Sequence, residues 1–101
     1  MELERKRITI RWKENGHRRV RSRVSGALAI HGTPPWRDSW TVTHVPTGTL
    51  IGLFDTEDGA LGFMQAISKL VDWSSVQADG SPLTANQRQE IRALRQELGG
   101  C

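Results

Sequence analysis

Two runs of strict alternation near the N-terminus constrain this chain more than anything else in it. Ile8, Ile10 and Trp12 alternate with Arg7, Thr9, Arg11 and Lys13; beyond Glu14-Asn15-Gly16, Arg19, Arg21 and Arg23 alternate with Val20, Ser22 and Val24. A period of two belongs to half-buried strands, so residues 1–24 read as a hairpin with one apolar and one basic face. A two-residue Asn-Gly turn would set Ile10 against Arg21 and Trp12 against Arg19, mixing charge and apolar groups on both faces. Register follows the arrangement that keeps one face apolar. The expected loop is therefore the three residues Glu14 to Gly16, pairing Lys13 with His17, Arg11 with Arg19, Thr9 with Arg21, Arg7 with Arg23 and Ile10 with Val20. Gly16 would take the left-handed position at the end of that loop.

The charge is unevenly placed. Residues 1–24 carry nine Lys and Arg against three Glu, whereas residues 25–101 carry five against eight acids. Like charges opposed across a hairpin destabilise it, so such a face calls for a counter-charge from outside. The chemistry that fits is a polyanion. Arg7, Arg11, Arg19, Arg21 and Arg23 would contact phosphates, one or two of them reading guanine edges, with Lys13 and His17 flanking the hairpin tip. Trp36 beside Arg37, in the loop His31 to Ser39, has three readings: stacking on a base, filling a partner's pocket, or, as loop aromatics often do, capping the core. The expected function is a non-enzymatic nucleic-acid-binding module, for duplex DNA first. The alternative is a small adaptor or inhibitor, of the kind phages and plasmids encode, docking on a host protein by charge complementarity.

The rest of the chain supplies a body for this hairpin. Gly26 interrupts the second strand, and residues 27–30 continue as a buried extension or a separate strand. Pro34 and Pro35 mark 31–39 as loop. WTVTHV, a Pro46-Thr47-Gly48 turn and TLIGLF make a second hairpin, pairing Trp40 with Phe54 and Val42 with Gly52 on its core side. Thr56 caps a helix whose stripe is Ala60, Phe63, Met64, Ile67, Leu70 and Val71, expected to end near Trp73. Residues 74–82 connect to a last helix over 84–98, opened by the capping-box spacing of Thr84 and Gln87 and closed by Gly99-Gly100. Its seam of Ile91, Leu94 and Leu98 offers a homodimer contact. The whole reads as one α+β domain over 1–101: basic hairpin at 1–24, hairpin plus helix at 40–73, and C-terminal helix at 84–98. The sheet would be an antiparallel meander of about four strands packed on one helix.

Other classes find little support. His17, His31 and His44 are scattered, and the one cysteine is Cys101, so neither a metal cage nor an intrachain disulfide is expected. No cofactor loop is present, since Gly48 lies between two strands rather than between a strand and a helix. No apolar run approaches the roughly 18 residues of a membrane span, and a reducing, cytoplasmic setting is expected. Trp12 and Trp40 read as core and Trp73 as a lid at the helix end. Leu98-Gly99-Gly100-Cys101 resembles a ubiquitin-like tail but follows a helical pattern, so a helix cap is expected.

The run W-T-V-x6-T-L-I-G-L-F-D-T-E-D-G-A, Trp40 to Ala60, resembles the second half of AP2-type DNA-binding domains and of the related sheet-and-helix domains at the N-termini of some phage integrases. That resemblance implies a sheet lying in the DNA major groove, with the face opposite the helix, carrying Arg11, Arg19, Arg21 and Arg23, turned to the DNA. The connector from Ser25 to Ser39 and the last helix have no counterpart in the minimal domain, and the first hairpin lacks the family's Gly-Val-Arg start.

Overall fold

A computed structural model describes residues 2–12, 16–32, 39–77 and 83–100. Five strands follow one another as β1 (Glu4–Trp12), β2 (Gly16–Ser25), β3 (Leu28–Gly32), β4 (Trp40–His44) and β5 (Thr49–Phe54). Helix α1 (Glu57–Ser68), a 3₁₀ turn (Trp73–Ser75) and helix α2 (Ala85–Glu97) complete the α+β fold. The sheet is an antiparallel meander in chain order, with one strand more than expected because Leu28–Gly32 pairs separately with both neighbours. His31 and Gly32 thus belong to β3 rather than to the loop. No helix among the described residues is long and apolar enough to cross a membrane.

The two sheet faces are buried in different ways. On the outer face, Ile30 pairs with Val42 and Val42 with Gly52, and Trp40 pairs with Phe54 as expected. Against them α1 lays Ala60, Phe63, Met64 and Ile67, each fully buried. The Phe54 and Phe63 rings meet at 5.0 Å between centroids, tilted 43°. Toward the turn, the pairing shifts by one residue after Val42, so that Thr43 faces Leu50 and His44 faces Thr49. The turn then spans Val45 to Gly48, four residues rather than three.

On the inner face the β1–β2 hairpin folds over the rest of the sheet. Ile8, Ile10 and Val24 pack on Ala29, with Val20 and Val45 at the margin. The closure is made by backbone: the Arg11 N–H donates to the Gly48 carbonyl at 3.0 Å. Gly48 has φ +70, and a Cβ there would stand 3.0 Å from the Thr9 carbonyl oxygen and 3.2 Å from the Arg11 nitrogen. Only glycine meets both demands, a left-handed backbone and no side chain toward β1.

Both helices start where their caps dictate. Thr56 Oγ1 accepts the Gly59 N–H, and Thr84 with Gln87 forms a complete capping box. Helix α1 ends at Ser68, short of Trp73, because the Trp73 indole N–H donates to the Ile67 carbonyl at 2.8 Å. That carbonyl also takes the Leu70 N–H, the tight bond of a closing turn. At the end of α2, Gly99 (φ +82) donates to the Gln96 carbonyl and Gly100 to that of Arg95, a Schellman pairing. Gly100 then bridges Phe54, and Arg95 Nη1 donates to the Ile51 carbonyl at 2.8 Å. The seam proposed for a homodimer is thereby used internally: Ile91 is buried in the main core, and Leu94 and Leu98 pack against it.

Candidate nucleic-acid interface

The basic face survives in the structure, but its register and its side of the sheet differ from expectation. β1 and β2 pair Arg5 with Arg23, Arg7 with Arg21, Thr9 with Arg19, Arg11 with His17 and Trp12 with Gly16. This is a slip of two residues from the expected register. Because side chains repeat every two residues, the slip changes partners but not faces. Gly16 is accordingly the first residue of β2, not the last of the loop. The physical cause lies partly outside the hairpin. Arg11 is tied by its backbone to Gly48, and its Nε donates to the Thr47 carbonyl at 3.2 Å. Val24 is tied to Ala29, and Ser22 Oγ donates to the Lys6 carbonyl at 2.8 Å. The closure onto the β4–β5 turn holds both strands in place.

The expected side of the sheet is corrected too. Arg23 stands directly opposite Ile30, whose side chain lies under α1. The arginines therefore share the helix-bearing face and do not stand opposite the helix, as the AP2-type resemblance implied. They reach solvent because the sheet curls: α1 covers the outer face over β3–β5 and stops short of β1–β2, while the face opposite the helix is closed by Ile8, Ile10 and Val24.

Arg5, Arg7, Arg11, His17, Arg19 and Arg21 are exposed, and Arg23 is half-buried. Among the described residues, the side chains of Arg5, Arg7, Arg19 and Arg21 have no hydrogen bond or ion pair to the protein. Arg23 does, to the Glu57 carboxylate in the first turn of α1. Lys13, Trp36 and Arg37 lie outside the described residues. Arg5 was missed by the sequence reading although it shares the odd parity of Arg7, because neither flanking residue, Glu4 or Lys6, is apolar enough to mark the strand so early.

At the foot of this face, Arg5, Arg7, Arg21 and Arg23 surround a cleft of about 650 Å³ that reaches Trp40 and is bordered by Glu57. His31 lies beside it, buried on the inner side. The Gly32 carbonyl can only accept, so Nδ1 carries the His31 proton at 2.8 Å, and in the neutral ring Nε2 accepts from the Thr43 hydroxyl, also at 2.8 Å. Burial lowers the His31 pKa from its ordinary 6.5, the bond to Gly32 opposing in part. His44 donates from Nε2 to the Trp73 carbonyl, and its Nδ1 pairs with Thr47 Oγ1. The two buried histidines are thus engaged in separate places, and no metal-holding group of three or more His, Cys, Asp or Glu exists among the described residues.

Set against known proteins, the chain matches no family model, no curated protein and no solved structure.

Proposed function

We propose that this protein binds nucleic acid, duplex DNA in the first instance, through the outer face of the β1–β2 hairpin, without catalysing a reaction. The observation that carries the reading is the cross-strand array of Arg5, Arg7, Arg19 and Arg21, exposed and without a protein counter-charge among the described residues. Alternate residues of a strand lie about 6.8 Å apart and paired strands about 4.8 Å, so the guanidinium groups form a compact double row. A two-stranded ribbon of this kind fits the major groove, about 12 Å wide, and arginine reads both phosphate and guanine edges. Arg11 is held at both its amide and its guanidinium, which fixes the row against the rest of the fold.

Fluorescence anisotropy with labelled duplex DNA over a salt series tests the reading. Four arginines on phosphates predict a slope of log K against log salt near −3.6, about 0.9 per phosphate. Arg19→Ala with Arg21→Ala should weaken binding and flatten the slope by about 1.8. Negligible affinity at low salt with the fold intact overturns the reading and assigns the face to an acidic protein surface instead.

A further inference from the structure

The Arg23–Glu57 contact sits inside a positively charged cleft, and its geometry says what that cleft is shaped to receive. Four arginines from two strands, Arg5, Arg7, Arg21 and Arg23, converge on it, Ile30 and the half-buried Trp40 line it, and one carboxylate, Glu57, reaches in to Arg23. Its volume, about 650 Å³, lies within the ~300–1,000 Å³ of small-ligand pockets. Arginines and an aromatic side chain lining one cleft meet the two requirements for holding an unpaired nucleotide: phosphate on arginine, base on a ring.

We infer that the cleft takes an unpaired nucleotide, at a strand end or a gap, with its base on Trp40 and its phosphate on Arg23 and its neighbours, and that Glu57 occupies the phosphate position in the free protein. The inference rests on the nucleic-acid reading of the same face and gives it a specific substrate: a duplex with an unpaired terminus. Displacing Glu57 leaves its carboxylate in the first turn of α1, where the helix dipole still favours a negative charge, so release from Arg23 is not prohibitive. Trp40 thereby assumes the stacking role that the sequence reading gave to Trp36.

Three labelled ligands decide the matter: a blunt duplex, the same duplex with a short unpaired overhang, and that overhang built of abasic sugar-phosphate. The overhang should bind about 5- to 150-fold tighter than the blunt end, the range of one base stacking on an aromatic ring, and the abasic overhang should lose that gain. E57Q should raise affinity for the overhang several-fold. D58N removes the same charge from the same helical turn without touching Arg23, and it should have a smaller effect. Equal binding of blunt and overhang duplexes, retention of the full gain by the abasic overhang, or equal gains from E57Q and D58N overturns the cleft and leaves the outer-face reading standing. No binding to any ligand at low salt overturns both.

Discussion

The outer face of the sheet is continuous from β5 to β1, yet its two halves have opposite fates. Over β3–β5 it carries Ile30, Val42 and Phe54 and is roofed by α1; over β2–β1 it carries Arg23, Arg21, Arg19, Arg7 and Arg5 and is bare. The change happens between neighbours, since Arg23 and Ile30 are directly paired. The helix does not choose a face so much as a width. A 12-residue helix spans the apolar strands, and the ion pair from Glu57 to Arg23 marks its limit. What lies beyond must be buried from the other side, and the curl of the hairpin onto Ala29 does that.

If the halves are separate in kind, they should fail separately. The largest effect is expected from Phe63→Ala, which empties the centre of the roofed half and should destabilise by about 3–5 kcal/mol. Chemical denaturation measures it, and the salt slope of DNA binding by the folded fraction should not move. Gly48→Ala attacks the join between the halves. A left-handed non-glycine residue costs about 1–2 kcal/mol, and the close approach to the Thr9 carbonyl adds to that. Loss of amide-exchange protection at Arg11, with the α1 amides still protected, is the expected signature.

His31 tests the inner face, on the opposite side of the sheet from both halves. Its folded pKa lies below the unfolded 6.5, so in acid the unfolded chain binds the extra proton. Its contribution is present above 6.5 and is lost as pH falls from there toward the folded value. Urea midpoints should fall as pH drops below about 6.5, and His31→Gln should flatten the response. The smallest effect belongs to the bare half. Arg21→Ala relieves its opposition to Arg7 and should leave stability level or raise it by about 0.2–1 kcal/mol while weakening DNA binding. A marked loss of stability would mean that Arg21 has a structural role.

How legible each half was follows from where its determinants lie. Thr56, the Thr84–Gln87 box, the Trp40–Phe54 pair and the Phe63 stripe depend on residues a few positions apart or on one short hairpin, and a linear reading reaches them. The parity of the arginines was legible for the same reason. Their register was not, because Gly48, far along the chain, sets it. Nor was the side of the sheet they occupy, which depends on the pairing of Arg23 with Ile30 on a strand that the sequence did not separate from its neighbour. The end of α1 hinged on an indole six residues past Ile67. The seam on α2 was legible as apolar, but not that Ile91 meets its own core, because nothing local to it reveals where the helix docks.

The contact from Arg11 to the β4–β5 turn has a kinetic meaning as well. Each strand pairs with its neighbour in sequence, so the meander can assemble through short loop closures, the topology associated with fast folding. Bringing Arg11 to Thr47 instead joins residues 36 apart, and the closure entropy of that span must be met before any contact it makes can contribute. The arginine-bearing wall should be the last part of the molecule to lock and the first to open. A polyanion bound along that wall would hold the closed form and slow its opening, so under the proposed reading bound nucleic acid should lengthen the lifetime of the native state most in the half that α1 does not reach.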